Sequence, residues 1–393
     1  MSISQVGKAC TGCKTCILSC PTHAIGMQPD QFGFEYPLID AKRCIECGKC
    51  ESVCPALHIV KNNTRYNCGA AYALDSSIKR EGSSGGLFGT IAKKIINDSG
   101  IVFGAAFDDS LKLRTQSAET LEELLPLYKS KYLLCDTGDR FLQIQAELKK
   151  GRTVLYCSSP CQIAALKLFL KTEYPNLITI DFVCHGVGNQ KLFDQSLEYL
   201  KKNWNAEKIE KVVFRYKYRK ATSHYYCISI KRKGDGHVDK KDLYMSFPYY
   251  YAYSKRLVCR ESCYDCQYAI PDRASDITIG DFHTIEKYHP EIDRFAGVSM
   301  FICNSEKGKQ FWDQITAQLY VYPMNWSEVY KNNRFGLAEE RRPQLREQFL
   351  DSIVHGSYEK AIRKYLFPWK DRLFYYYKTP LFIRSLLRKI HSI

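Results

Sequence analysis

The sequence predicts a small α+β unit followed by a larger α/β domain with a mixed sheet. Three observations carry this expectation. One cysteine pattern occurs twice within the first 62 residues, as CTGCKTCILSCP from Cys10 and as CIECGKCESVCP from Cys44. After Asn62-Asn63, strand-length apolar runs alternate with stretches of helical period, which is the pattern of an α/β domain. Several of those runs end in small polar residues or cysteine, and ligands of open α/β sheets sit at the carboxyl ends of strands.

Composition narrows the function classes. At 393 residues the chain is long enough for two or three domains at about 150 residues each. The apolar fraction of 45% suits a packed globular core rather than disorder. The 18 cysteines could pair as disulfides, but no apolar signal-like stretch follows Met1. A cytoplasmic chain with reduced thiols is therefore expected, in which clustered cysteines hold metal. No run approaches the roughly 18 apolar residues of a spanning helix. The formal charge of +15 counts every thiol as neutral, so metal-bound thiolates would lower it. The basic balance suits phosphate-bearing cofactors and acidic redox partners; nucleic acid is not expected, because no reading motif accompanies the charge.

The first unit is read from its spacing. Cys10, Cys13, Cys16 and Cys20-Pro21 fit C-x2-C-x2-C-x3-C-P, and Cys44, Cys47, Cys50 and Cys54-Pro55 fit it again. Three closely spaced thiolates wrap one cubane, and in two-cluster ferredoxins the fourth ligand comes from the other run. One 4Fe-4S cluster is thus assigned to Cys10, Cys13, Cys16 and Cys54, the other to Cys44, Cys47, Cys50 and Cys20. Structural zinc is the alternative, but it needs two C-x2-C pairs rather than two runs of four. The module, residues 1–62, resembles bacterial-type ferredoxins. Gln28 to Asp40, with Asp30, Gly33 and Pro37 as turn formers, reads as a hairpin between the runs. Two clusters in so small a module conduct electrons and need a terminus.

The larger unit follows in order. Ala70 to Leu74 reads as a strand, and Leu87, Ile91 and Ile95 as the apolar face of a helix. A strand is expected at Ile101 to Phe107, then helices at Thr120 to Tyr128 and Gly138 to Lys149. Strand Thr153 to Cys157, helix Gln162 to Leu170 and strand Leu177 to Val183 complete a βαβ-like run. Ser83, Ser84, Gly85 and Gly86 precede the first of these helices. They form a candidate phosphate cradle, although an ordinary helix cap explains the same residues.

Taken together, SSGGLF, KSKY (Lys129 to Tyr132), GRTVLYCSSPCQIAALK, ITIDFVCHG and RESCYDCQYAIPDRASDITIGDF resemble the coenzyme F420 hydrogenase/dehydrogenase beta-subunit family, from about Ala70 to Asn304. The resemblance implies a ferredoxin-like dicluster domain followed by an α/β flavin-binding domain. It implies FAD, a hydride exchanged with coenzyme F420 or another small-molecule donor or acceptor, and electrons passed through iron–sulfur clusters. It also implies a third 4Fe-4S cluster on Cys161, Cys184, Cys263 and Cys266. The residues permit this, since Cys161 and Cys184 each follow a predicted strand. Cys68, Cys135, Cys157, Cys227, Cys259 and Cys303 read as core residues, with Cys259 a rival ligand.

On this reading Ser83, Ser84, Gly85 and Gly86 hold the phosphate or ribitol of FAD, with Ser158 and Ser159 at a second strand end. Lys131 pairs with a phosphate or with the electron-rich side of the flavin. His185 and Asp281 deliver protons or tune a cluster. Residues 68–150 and 151–320 form the N- and C-terminal parts of the beta-subunit-like region, and 321–393 a basic aromatic extension. There, Leu381, Ile383 and Leu386 with Arg384, Arg388 and Lys389 resemble an amphipathic helix suited to the inner face of a membrane or to a partner. A plain solvated helix is the alternative. A membrane contact would make a lipid-linked intermediate of surface-polysaccharide synthesis an attractive substrate. The leading expectation is an FAD and iron–sulfur oxidoreductase. Its rival is an electron-transfer subunit serving a ferredoxin, reductase or hydrogenase partner, and a third reading makes the clusters structural.

Overall fold

The computed structural model describes residues 3–62, 64–218, 221–232, 234, 236–292, 297–332 and 343–367. The amphipathic segment at 381–389 lies outside the described residues.

The first module folds around its cysteines. Strands β1 (Ile25–Pro29) and β2 (Glu35–Ile39) form the expected antiparallel hairpin, with Met27 opposite Pro37. Asp30 closes the turn by accepting from the amides of Phe32 and Phe34 at 2.9 and 2.8 Å. Ile3, Val6 and Ile25 share one apolar cluster with Cys16 and Cys54, and Cys10, Cys20 and Cys50 pack against it.

The larger unit is built on an eight-stranded mixed sheet. Its strands are β3 (Cys68–Ala73), β4 (Ile101–Phe107), β5 (Leu113–Ala118), β6 (Val154–Ser158), β7 (Leu177–Phe182), β11 (Ile277–Asp281), β12 (Ser299–Cys303) and β13 (Leu319–Pro323), in the order β13-β3-β12-β11-β7-β6-β4-β5. The central β4, β6, β7 and β11 are parallel, and antiparallel strands flank them. Strands on both sides of residue 150 therefore share one sheet.

Side chains alternate between two buried faces, as the pleat requires. Val102 and Leu155 face helix α1 (Leu87–Asn97) through Leu87, Ile91 and Ile95. Phe103 and Tyr156 face α2 (Arg140–Lys149) and α3 (Pro160–Leu170) through Phe141, Ile144 and Ile163. The expected helix at Thr120 to Tyr128 is one short turn, Leu121–Leu124, capped by Thr120 and continued by a 3-10 turn with Pro126.

A second layer covers one end of the sheet. Strands β8 (Ala206–Tyr218), β9 (Ala221–Arg232) and β10 (His237–Leu243) form an antiparallel sheet against α4 (Gln190–Asn203). Its core combines Phe193, Phe214, Phe247 and Tyr249.

The module is keyed to the large unit by side chains that reach backbone carbonyls. Arg260 donates to Cys10 O at 2.6 Å and to Glu35 O at 2.7 Å. Thr137 donates to Cys13 O at 3.1 Å, Tyr268 to Pro55 O at 2.8 Å and Asn189 to Phe32 O at 3.0 Å. Each bond satisfies a carbonyl that the seam would otherwise leave poorly paired.

Candidate functional site

A cavity of about 500 Å³ opens at the carboxyl ends of the parallel strands. Cys157, Ser158 and Ser159 line it from β6, Cys184 and His185 from just beyond β7, and Asp281 from the end of β11. Ser83, Ser84, Gly86 and Lys131 also line it. Gly85 lies one layer deeper, where a Cβ would stand 2.6 Å from Ala71 O.

The serine-glycine turn is bonded within the protein. Ser83 Oγ accepts from the Ser130 amide at 2.7 Å, Ser84 Oγ donates to Val298 O at 2.8 Å, and the Gly85 amide donates to Ser299 Oγ at 2.9 Å. Gly86 caps α1 with φ of 88°, a left-handed conformation that favours glycine. The turn thus presents shape and backbone to the cavity rather than a row of unused hydroxyls. Ser158 likewise bonds Gln162.

Lys131 is half-buried, and its ammonium donates to Pro126 O at 2.8 Å and Tyr128 O at 2.6 Å. Burial pulls its pKa down to about 7. Asp281 is held the other way. Burial would raise its carboxyl, but the Arg215 guanidinium, bonded at 2.8 Å, brings it down to about 2. Asp281 therefore carries a fixed charge near neutral pH.

Sequence reasoning passed over Arg215 and Lys217. Both sit on β8, Arg215 in the cavity lining and Lys217 bonded to the serine-glycine turn. The β8–β9 register shifts between Val213 and Tyr216, and Arg215 has φ of 53°, so an irregularity re-aims this stretch toward the cavity. Lys217 donates to Lys79 O and to Ser84 O, the latter at 2.6 Å. The alternation Arg-Tyr-Lys-Tyr at 215–218 is the signal that would have flagged them. The aromatic wall was also missed: Tyr132 stacks on Tyr253 at 4.4 Å and tilts against Tyr250 at 4.9 Å.

A second cavity, of about 750 Å³, shares Tyr128, Lys129, Ser130 and Lys131 with the first. Phe107, Leu111, Val212 and Phe214 are among its apolar lining residues, and acidic and basic side chains are mixed with them.

The cysteines fall into groups. Burial first, then the charges of Cys13, Cys10 and Cys54, pushes the Cys16 thiol up. Cys54 rises to about 11, from burial and then, against two backbone hydrogen bonds, the charges of Cys13 and Cys10. Cys50 is raised by burial, with Cys20 among its charged neighbours. The fourth cysteine of each run thus lies near the other run. Amides and hydroxyls already point at these sulfurs, from Gly12 to Cys10 at 3.4 Å, Thr15 to Cys13 at 3.3 Å and Ala24 to Cys20 at 3.2 Å.

A further group gathers Cys161, Cys184, Cys263 and Cys266. Burial and then the Cys266 charge raise Cys161, with Cys184 and Cys13 contributing. Burial and then Cys263 raise Cys184, with Cys266 and Cys259 contributing. Cys259 is fully buried beside Gly186, whose Cβ would stand 2.9 Å from its sulfur. Cys161 and Cys266 pack in the same apolar cluster as Cys13.

Among the described residues, no three His, Cys, Asp or Glu side chains converge on one ion position. A tetrahedral zinc draws its thiolates to about 2.3 Å from one point, whereas a cubane spreads them over separate iron corners. Thiols this buried and this close oppose one another's ionisation. An iron–sulfur core supplies the compensating positive charge, so the residues present fit such a group.

Residues 9–57 match the family described as 4Fe-4S dicluster domain. Residues 151–326 match the family described as the C terminus of the coenzyme F420 hydrogenase/dehydrogenase beta subunit. The matched region carries the cavity-lining Ser158, Cys184, Arg215 and Asp281, and the grouped Cys161, Cys263 and Cys266. The chain thus joins a region matching a 4Fe-4S dicluster domain to one matching a subunit of hydrogenases and dehydrogenases. A solved chain from the F420-reducing NiFe hydrogenase complex of Methanosarcina barkeri is similar to it, with 16% identity, a TM-score of 0.45, and coverage of 78% of this chain and 92% of that one. No curated protein matches the chain. Among the described residues, no helix is long and apolar enough to cross a membrane.

Proposed function

We propose that the chain is an FAD and iron–sulfur oxidoreductase, moving electrons between a small-molecule hydride donor or acceptor and 4Fe-4S clusters. The observation that carries this reading is Cys184: its side chain belongs both to the cavity wall and to the group with Cys263 and Cys266. FAD, when bound, converts a two-electron hydride transfer into the one-electron steps that clusters accept.

The chain's own residues would do the rest. The aromatic wall of Tyr132, Tyr250 and Tyr253 offers a flat apolar surface for a ring system. The Ser83–Gly86 turn and Ser158–Ser159 shape the opposite sides. Lys131, with a pKa near neutrality, holds or releases a proton at the wall shared by the two cavities. His185 stands between Cys184 and Gly186 and offers a second proton site. The ion pair with Arg215 makes Asp281 a positioning residue rather than a proton donor. The second cavity gives an organic substrate, coenzyme F420 or another, access through that shared wall.

Cys161, Cys184, Cys263 and Cys266 would hold the cluster nearest the cavity. The thiols of Cys10, Cys13, Cys16 and Cys54 come next, since Cys161 packs with Cys13. Those of Cys20, Cys44, Cys47 and Cys50 form the outer end. Anaerobic purification with iron and flavin quantification tests this. About 12 iron atoms and one FAD per chain are expected, and a flavin-free protein would refute the reading.

A second reading, an electron-transfer subunit without its own substrate, is favoured by the outer motif. Cys47 is exposed there, and neighbouring Ile45 is 63% exposed, as a docking tip would be. Mixing the isolated chain with NADH, reduced deazaflavin or reduced ferredoxin decides between them. Flavin bleaching only in the presence of a second polypeptide selects the subunit. Surface-polysaccharide synthesis remains the proposed setting if the basic C-terminal segment binds vesicles of anionic lipid.

A further inference from the structure

Arg260 is among the largest fully buried side chains, at 1% exposure. Its guanidinium crosses from the beta-subunit region into the ferredoxin-like module, bonding Cys10 O and Glu35 O and lying 4.5 Å from the Tyr36 ring centroid. Its main chain belongs to the other cysteine group, for its carbonyl accepts from the Cys263 amide at 3.0 Å. Among the described residues no carboxylate pairs with it. Its Nη1 is buried without a hydrogen-bond partner.

That nitrogen lies against Gly12, between Cys10 and Cys13. A Cβ at Gly12 would stand 3.2 Å from Nη1 and from Cζ of Arg260, and 2.7 Å from Leu134 Cδ2. The absence of a side chain, at φ of 76°, lets the cation reach the loop that carries the first two cysteines. A buried cation without an anion is strongly unfavourable. The loop it reaches carries Cys10 and Cys13, whose thiolates, around an iron–sulfur core, would leave net negative charge.

We propose that Arg260 is the counter-cation of the cluster held by Cys10, Cys13, Cys16 and Cys54, and that its charge raises that cluster's reduction potential at the junction with the cavity-side cysteines. A fixed positive charge in a poorly screened interior favours the more negative, reduced state of a neighbouring centre. Arg260 is a positioning and tuning residue, since it touches neither the cavity nor a substrate in the structure. The proposal rests on the iron–sulfur reading of the module and is independent of FAD.

The test is an anaerobic redox titration of the full chain followed by electron paramagnetic resonance, with iron counted beforehand. A wild-type protein without cluster signals would sink the iron–sulfur reading itself. With signals present, Arg260→Gln is expected to lower one midpoint, with about a tenfold smaller reduced-to-oxidised ratio at fixed potential, equivalent to about 59 mV for a one-electron couple. An unchanged midpoint at full iron content overturns the proposal and leaves Arg260 a docking residue only. Should Arg260→Gln fail to load iron, Arg260→Lys decides. With the positive charge kept, full iron loading and a midpoint near wild type support the proposal, and a failure to load iron or a midpoint lowered by the full ~59 mV overturns it.

Discussion

Arg215 and Asp281 join the small antiparallel sheet to the end of a central strand, through a two-point ion pair at the cavity wall. Each is mostly buried, at 14% and 21% side-chain exposure. Removing one charge strands the other, which typically costs about 3 kcal/mol or more. Asp281→Asn is therefore expected to lower the urea midpoint markedly, and Arg215→Met combined with Asp281→Leu to recover part of the loss. Equal stability of Asp281→Asn and wild type would show that the pair bears no such load.

The same pair sets an acid limit. The Asp281 carboxyl is held at about 2, below its usual 3.8. A depressed carboxylate contributes stability above its unfolded value and loses it as pH falls toward the folded one. Between about pH 4 and pH 2, the wild type should lose more stability than Asp281→Asn. Parallel denaturation curves across that window would contradict it.

Lys131 works in the opposite sense. Its pKa is about 7 in the folded chain against 10.5 ordinarily, so the unfolded chain binds more protons between those values. Stability then rises with pH across that window and is lowest below pH 7. Lys131→Met should flatten the rise and be relatively more stable at pH 6. A slope between pH 7 and pH 10 identical to wild type would count against the buried placement.

Iron content separates the cavity-side ligands from their neighbour. Cys263→Ser is expected to lower iron by about four atoms per chain and Cys259→Ser to leave it unchanged. The reverse pattern would make Cys259 the ligand.

Gly85→Ala tests the turn. The added methyl would press on the Ala71 carbonyl, a backbone atom, and overpacking of this kind costs about 1–3 kcal/mol. A drop in melting temperature with retained iron is expected; an unchanged melting temperature would mean the turn can shift.

The parts legible in the sequence were those set by local spacing. The two cysteine runs, the Gln28 to Asp40 hairpin and the strand Ile101 to Phe107 each follow from residues close together in the chain. What local spacing could not show was set by distant packing. Arg215 meets Asp281 across 66 positions, and only the irregular stretch of β8 aims it there. Ser83 looked like an available hydroxyl because its bond to Ser130, 47 positions away, leaves no local trace. Arg260 stood in a quoted motif, yet its unpaired burial becomes visible only when the module docks.

The exposure of the cysteines also orders their fragility. Cys47 at the tip is exposed, Cys44 and Cys50 are partly covered, and Cys13, Cys16 and Cys54 are buried. Dioxygen and peroxide meet the tip first. Damage in air should then disconnect the chain from its surroundings while the inner centres are still intact, so the protein would fail as a broken contact before it fails as a chemist.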